Sequence, residues 1–207
     1  MKKLLENLLE EKAPGPFPSF AIYHLIKALE LVAKGHVGRG KLSEELKIGE
    51  GATRTLIERF KAAHFVSVSK KGCFLTEKGK KLWSEFESVF PQKISLEKNE
   101  LVLTECNIAV LVKDCGDNVR TGVEQRDAAM MAGAKGATTL VFRKKKLVMP
   151  NMSDDVNHDF PIAFRQITSI LKLKENDVVV IGSADSLNKA EYGAWAAAWT
   201  LIRNNCA

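Results

Sequence analysis

Cysteine is scarce in this chain: four residues in 207 (Cys73, Cys106, Cys115 and Cys206), none at C-x-x-C spacing. The absence of that spacing argues against a zinc ribbon or a disulfide framework, so free and mostly buried thiols are expected. Long apolar runs are missing too. The longest, Ala194 to Ile202, falls well short of the ~20 residues a membrane span needs. Glu6, Glu10 and Glu11 interrupt what would have to be the apolar centre of a signal peptide after Lys2-Lys3, so a cytoplasmic protein with no membrane partner is expected. Neither G-x-G-x-x-G nor a P-loop lysine occurs, which removes the phosphate cradle of a bound nucleotide cofactor; no cofactor is expected. No Ser/His/Asp set carries a recognisable local signature, and Cys115 has acidic neighbours rather than the cations that activate a thiolate. The expectation is a protein without catalytic residues.

What is present is an uneven charge. The formal net charge is +6, and residues 1–99 carry 18 Lys/Arg against 12 Asp/Glu, so they hold all of it. Residues 100–207 carry 13 of each and are neutral. An excess confined to one half points to an anionic partner for that half alone.

Leu4, Leu5, Leu8 and Leu9 form one helical stripe over residues 1–12, which Pro14, Pro16 and Pro18 bring to an end. A longer helix is expected from Pro18-Ser19 to about Lys34, with Ile22, Leu25, Ile26 and Leu29 at core spacing. A short helix, Leu42 to Leu46, and the turn Lys47-Ile48-Gly49 lead into a second helix, Gly49 to Phe60. There Thr53, Leu56, Ile57 and Phe60 fall on one face, and Arg54, Thr55, Glu58 and Arg59 on the other. Two strands follow, Phe65 to Val68 and Cys73 to Leu75, joined by Lys70-Lys71-Gly72, where glycine supplies the positive φ of a tight turn. Thr76 is placed to cap a closing helix that runs through Phe86.

Helix, turn, helix and hairpin in that order, with Leu42-Ser43-Glu44-Glu45-Leu46 and the L-T-x-x-G of Leu75 to Gly79, resemble the winged helix-turn-helix superfamily of prokaryotic transcription regulators over roughly residues 18–88. The resemblance implies that the second helix reads double-stranded DNA. Arg54, Thr55, Glu58 and Arg59 would then face the major groove, and Lys41, Lys70 and Lys71 the phosphates. A homodimer is expected from half-site logic and from the leucine-rich and Trp/Ala-rich chain ends. Two alternatives stand beside this reading: a winged-helix protein-interaction adaptor without DNA, and an enzyme regulated by its winged helix.

The expected fold class is α+β: a winged helix-turn-helix over residues 1–90, a linker over 91–99 marked by Pro91, and a small α/β domain over 100–207. In the last, strands are read at 101–103, 108–112, 138–142, 146–149 and 177–182, and helices at 122–132, 161–171 and 189–203. The whole chain resembles archaeal winged-helix proteins with such a C-terminal domain. Loops after two strands could hold a small polar effector, with Asp117, Arg120, Ser183 and Asp185 joined by Arg126 from the intervening helix. Asp154 to Asp159 has metal-like spacing but reads as a solvated acidic loop, and no metal is expected.

Overall fold

The computed structural model describes residues 1–10, 18–102 and 104–203. It is an α+β chain that divides into two units between Phe86 and Glu87. Among the described residues no helix is long and apolar enough to cross a membrane.

In the first unit, α1 (Lys2–Glu6) is shorter than the leucine stripe suggested, though Leu5 and Leu8 are both buried. Helix α2 (Ile22–Ala33) begins three to four residues later than expected. The reason is local: the Nδ1 atom of His24 accepts the amide of Ala21 at 2.9 Å, the reach back from the third helical position that fixes a helix start. Helices α3 (Arg39–Leu46) and α4 (Glu50–Ala62) are joined by a turn at Lys47, whose φ of 53° reverses the chain. The Ser43 hydroxyl donates to the Ile48 carbonyl at 2.7 Å and closes that turn.

Strands β1 (Val66–Ser69) and β2 (Gly72–Leu75) pair antiparallel, with Val66 opposite Leu75 and Ser69 opposite Gly72. Thr76 then caps α5 (Glu77–Val89): its hydroxyl accepts the Gly79 amide at 3.0 Å and donates to the His64 carbonyl at 2.6 Å. Gly79 has to be glycine, because a Cβ there would lie 2.0 Å from the Phe65 carbonyl oxygen. That contact is the physical content of the L-T-x-x-G phrase.

The second unit is one five-stranded sheet: β3 (Lys93–Leu96), β4 (Cys106–Val112), β5 (Gly136–Arg143), β6 (Lys146–Val148) and β7 (Val178–Ala184). The strand order is β3-β4-β7-β5-β6 and every neighbouring pair is antiparallel. Helices α6 (Val123–Met131) and α9 (Leu187–Thr200) pack on each other and on the sheet. Val156 of α7 (Val156–Asp159) and Ala163 and Ile167 of α8 (Pro161–Ile170) join a core with Ala109, Leu111, Leu140, Val179 and Ile181. Because helices cover both faces, all seven residues of β7 are buried, which is why it reads as an unbroken apolar run.

Two sequence expectations need correction here. Residues 91–99 are not a linker throughout: they contain β3, where buried Leu96 and the core-packed Ile94 alternate with polar residues, a period of two that Pro91 and the flanking charges obscured. Lys93 in that strand is ion-paired with the buried carboxylate of Glu191 on α9. Leu101 and Val102 lie outside any strand, and Leu103 lies outside the described residues.

Burial lowers the His24 imidazole from 6.5 to about 4, so the folded chain holds it neutral. The unfolded chain would take up a proton at the ordinary value. The stabilising contribution is therefore complete above about pH 6.5 and is lost as the pH falls toward 4, roughly 3 kcal/mol in all. His24→Gln keeps an acceptor for the Ala21 amide and removes the titration. Urea unfolding should show wild type losing about that much more stability than His24→Gln between pH 7 and pH 4; parallel pH profiles would refute the assignment.

Candidate nucleic-acid interface

Helix α4 shows how one amphipathic segment sorts its side chains. Thr53, Leu56, Ile57 and Phe60 are buried, while Gly51, Arg54, Thr55 and Glu58 are exposed. Exposed Arg54 lines a cleft of about 460 Å³ between this helix, the start of α3 and the hairpin. Arg39 and Lys61 line the same cleft, and the sequence reading passed over both. The signal for Lys61 was available: it lies seven residues after Arg54, two turns along the same face. Arg39 had none, because α3 was expected to begin three residues later.

The hairpin is fastened to the cleft by an isolated bridge that the sequence did not reveal. Val37 and Cys73 exchange backbone hydrogen bonds at 3.0 and 2.8 Å, tying β2 to the chain just before α3. Gly72 permits this approach. Its φ is +117°, and a Cβ would stand 2.6 Å from the Val37 carbonyl oxygen. Lys70 and Lys71 form the exposed turn, where the Ser69 hydroxyl accepts the Lys71 amide at 3.1 Å. Cys73 lies beneath the cleft, and burial pushes its thiol up against the opposing pull of Lys61.

Carboxylates temper the cations. Arg39 lies 3.9 Å from Glu50, and Lys61 lies 3.1 Å from Glu58. Lys41 is on α3, paired with Glu45 at 2.7 Å and Glu44 at 3.6 Å, and is not among the residues lining the cleft. The hydrogen bond that Lys41 donates to Glu45, with Glu44 nearby, raises the Lys41 ammonium pKa. The Thr55 hydroxyl is turned back onto its own helix, donating to the Gly51 carbonyl at 3.1 Å.

Arg59 does not belong to this surface. It is 6 % exposed and donates to the carbonyls of Leu8 and Glu10, the second at 2.8 Å, with its guanidinium 5.7 Å from the centre of the Phe20 ring. Its role is to hold the N-terminal segment against α4.

The expected effector residues are not brought together. That expectation placed two loops at one end of a sheet with parallel strands. Here β4 and β7 are antiparallel, with Val112 opposite Val178 and Cys106 opposite Ala184. The loop after β4 and the loop after β7 therefore lie at opposite ends, about 20 Å apart along seven residues. Asp117 is 3.1 Å from Arg143, and Arg120 lines a cavity beside that same arginine. Ser183 is buried in β7, and Asp185 pairs with Lys135 at 3.2 Å. Arg126 pairs with Asp127 at 3.1 Å and lines a separate cavity. In the acidic loop, Asp155 pairs with Lys146 at 2.9 Å and caps α7. Asp159 accepts the Ser153 hydroxyl at 2.6 Å and raises the His158 imidazole pKa by its hydrogen bond.

These features define a two-unit α+β protein with an exposed helix flanked by a fastened hairpin. Residues 25–81 match the family model described as "PH0730-like, N-terminal domain", and residues 103–201 match a "Domain of unknown function (DUF4443)". Among solved structures, the "Hypothetical protein PH0730 from Pyrococcus horikoshii OT3", an archaeal protein, is similar at 28% sequence identity and a TM-score of 0.70. The match covers 88% of this chain and 93% of that one. No curated protein matches the chain.

Removing the Arg59 guanidinium leaves two carbonyls without their donor, so Arg59→Ala should lower unfolding stability by roughly 2–4 kcal/mol. Chemical denaturation of the full chain measures it. A loss below about 0.5 kcal/mol, the range of an ordinary surface substitution, would contradict the anchoring role.

Proposed function

We propose that this chain is a DNA-binding transcription regulator of the winged helix-turn-helix type, with α4 in the major groove and the β1–β2 turn on the adjoining backbone. The observation that carries it is the cleft where exposed Arg54 stands with Arg39 and Lys61 beside a hairpin tipped by Lys70 and Lys71. An arginine fork on the groove side of a helix can pair with guanine, and lysines at a turn meet phosphate as point charges. The confinement of the net charge to the N-terminal half supports the same partner.

In this reading the protein acts as a cytoplasmic homodimer on paired half-sites, carries no catalytic residues, and uses its C-terminal unit to sense a small ligand or to hold the dimer. Thr55 and Glu58 contribute at the groove side, Lys41 at the backbone, and Arg59 only through the fold. The similarity to an archaeal protein and to a family of such domains agrees with a regulator but names no partner.

Fluorescence anisotropy with DNA selected from a random pool tests the proposal. Arg54→Ala should cost about 1–3 kcal/mol and relax base preference, whereas Lys71→Ala should weaken all sequences alike and reduce the salt slope by about 1. Affinity that ignores both substitutions, or binding without steep salt dependence, would favour an interaction adaptor instead.

A further inference from the structure

The second unit has as many acids as bases, yet its cations are not spread evenly. Arg120, Arg143, Lys144 and Lys146 all line one cavity of about 530 Å³ beside the β5–β6 turn, against a single acidic lining residue, Asp154. Val119, Val141, Val148, Met149 and Pro150 give it an apolar floor. The volume is that of a small-molecule site.

Two of the four cations are already engaged. Arg143 donates to the Gly116 carbonyl at 2.8 Å and pairs with Asp117, and Lys146 pairs with Asp155. These bonds hold the two side chains in place at the rim. Arg120 and Lys144 are exposed, with no side-chain hydrogen bond or ion pair to any of the described residues.

The turn itself is unusual. Lys144 and Lys145 have φ of 50° and 62°, a left-handed pair that two-residue hairpins normally fill with Asn or Gly. Glu175 accepts the Lys144 amide at 2.9 Å and holds that conformation. Both lysines of this turn are exposed, and Lys144 lines the cavity.

We propose that this cavity binds a small molecule bearing more than one phosphate charge on an apolar or aromatic body, of the kind a nucleoside diphosphate exemplifies. Arg120 takes the phosphate oxygens in its planar fork, Lys144 and Lys146 add point charge, and the valine and methionine floor covers the body. The absence of a P-loop is no obstacle, because side-chain cations rather than backbone amides form the cradle. The proposal rests on the reading of the C-terminal unit as a sensor and gives that sensor a ligand class.

Calorimetric titration of the full chain with ADP, pyrophosphate and adenosine tests it. ADP should bind about tenfold or more tighter than pyrophosphate, and adenosine should not bind measurably. Arg120→Ala should weaken ADP about tenfold, as a lost charge-assisted pair does, and Lys144→Asn, which suits a left-handed φ, by less. Lys70→Ala/Lys71→Ala should leave ADP affinity unchanged. ADP binding with this pattern upholds the site even where DNA affinity ignores ADP, a result that removes only the sensor role. Absence of ADP binding, or binding lost with the Lys70/Lys71 variant and kept in Arg120→Ala, overturns the site and leaves the DNA reading untouched.

Discussion

The backbone of Phe65 is the junction on which the first unit depends. Its amide donates to the Phe60 carbonyl at the end of α4, and its carbonyl accepts the amide of Thr76 at 3.0 Å as α5 begins. Its ring is buried, and Lys78 from α5 lies 5.1 Å from the ring centre. Exposed helix, hairpin and closing helix therefore meet at one residue, in a space that admits no side chain at Gly79. The angle of the hairpin relative to α4 follows from this junction and from the Val37–Cys73 bridge at the other side. Fixed from both sides in this way, the hairpin and α4 present one rigid surface.

In the second unit the governing constraint is the antiparallel insertion of β7 between β4 and β5. It leaves β4 and β5 parallel to each other but not adjacent, with α6 crossing between them, and it buries β7 entirely. It also decides where chemistry can collect. Loops that would converge in a parallel sheet are sent to opposite ends, and at one of them the loop after β4 meets the β5–β6 turn through Arg143, which reaches Gly116 and Asp117. Asp177 braces that end: buried, it accepts the Asp114 and Lys174 amides at 3.2 and 2.7 Å and is ion-paired with Lys113.

Much of the element order was legible because it rests on local patterns. The apolar stripe of α4, the glycine of the hairpin turn and the capping threonine of α5 each act over a few residues. What remained hidden depends on distant partners. Arg54 and Arg59 flank the same apolar stripe at about 60° on either edge of it, given 100° per residue, so a helical wheel treats them alike. Only the N-terminal segment, about fifty residues earlier in the chain, separates them: one arginine meets its carbonyls and the other meets solvent. Strand direction in the C-terminal sheet was hidden for a related reason, since alternation and length show that a strand exists but not which neighbour it faces. The short strand β3 was missed because two apolar residues among charges give too little pattern to count.

Lys93 gives that short strand its own safeguard. β3 lies at the edge of the sheet, where a one-residue slip would leave most backbone bonds possible and exchange its two faces. Such a slip would carry Lys93 away from the buried Glu191 carboxylate with which it is ion-paired, and breaking a buried pair is costly for a strand of four residues. The pair thus works as an alignment key, letting a weakly patterned edge accept one register and discouraging a foreign strand from taking its place.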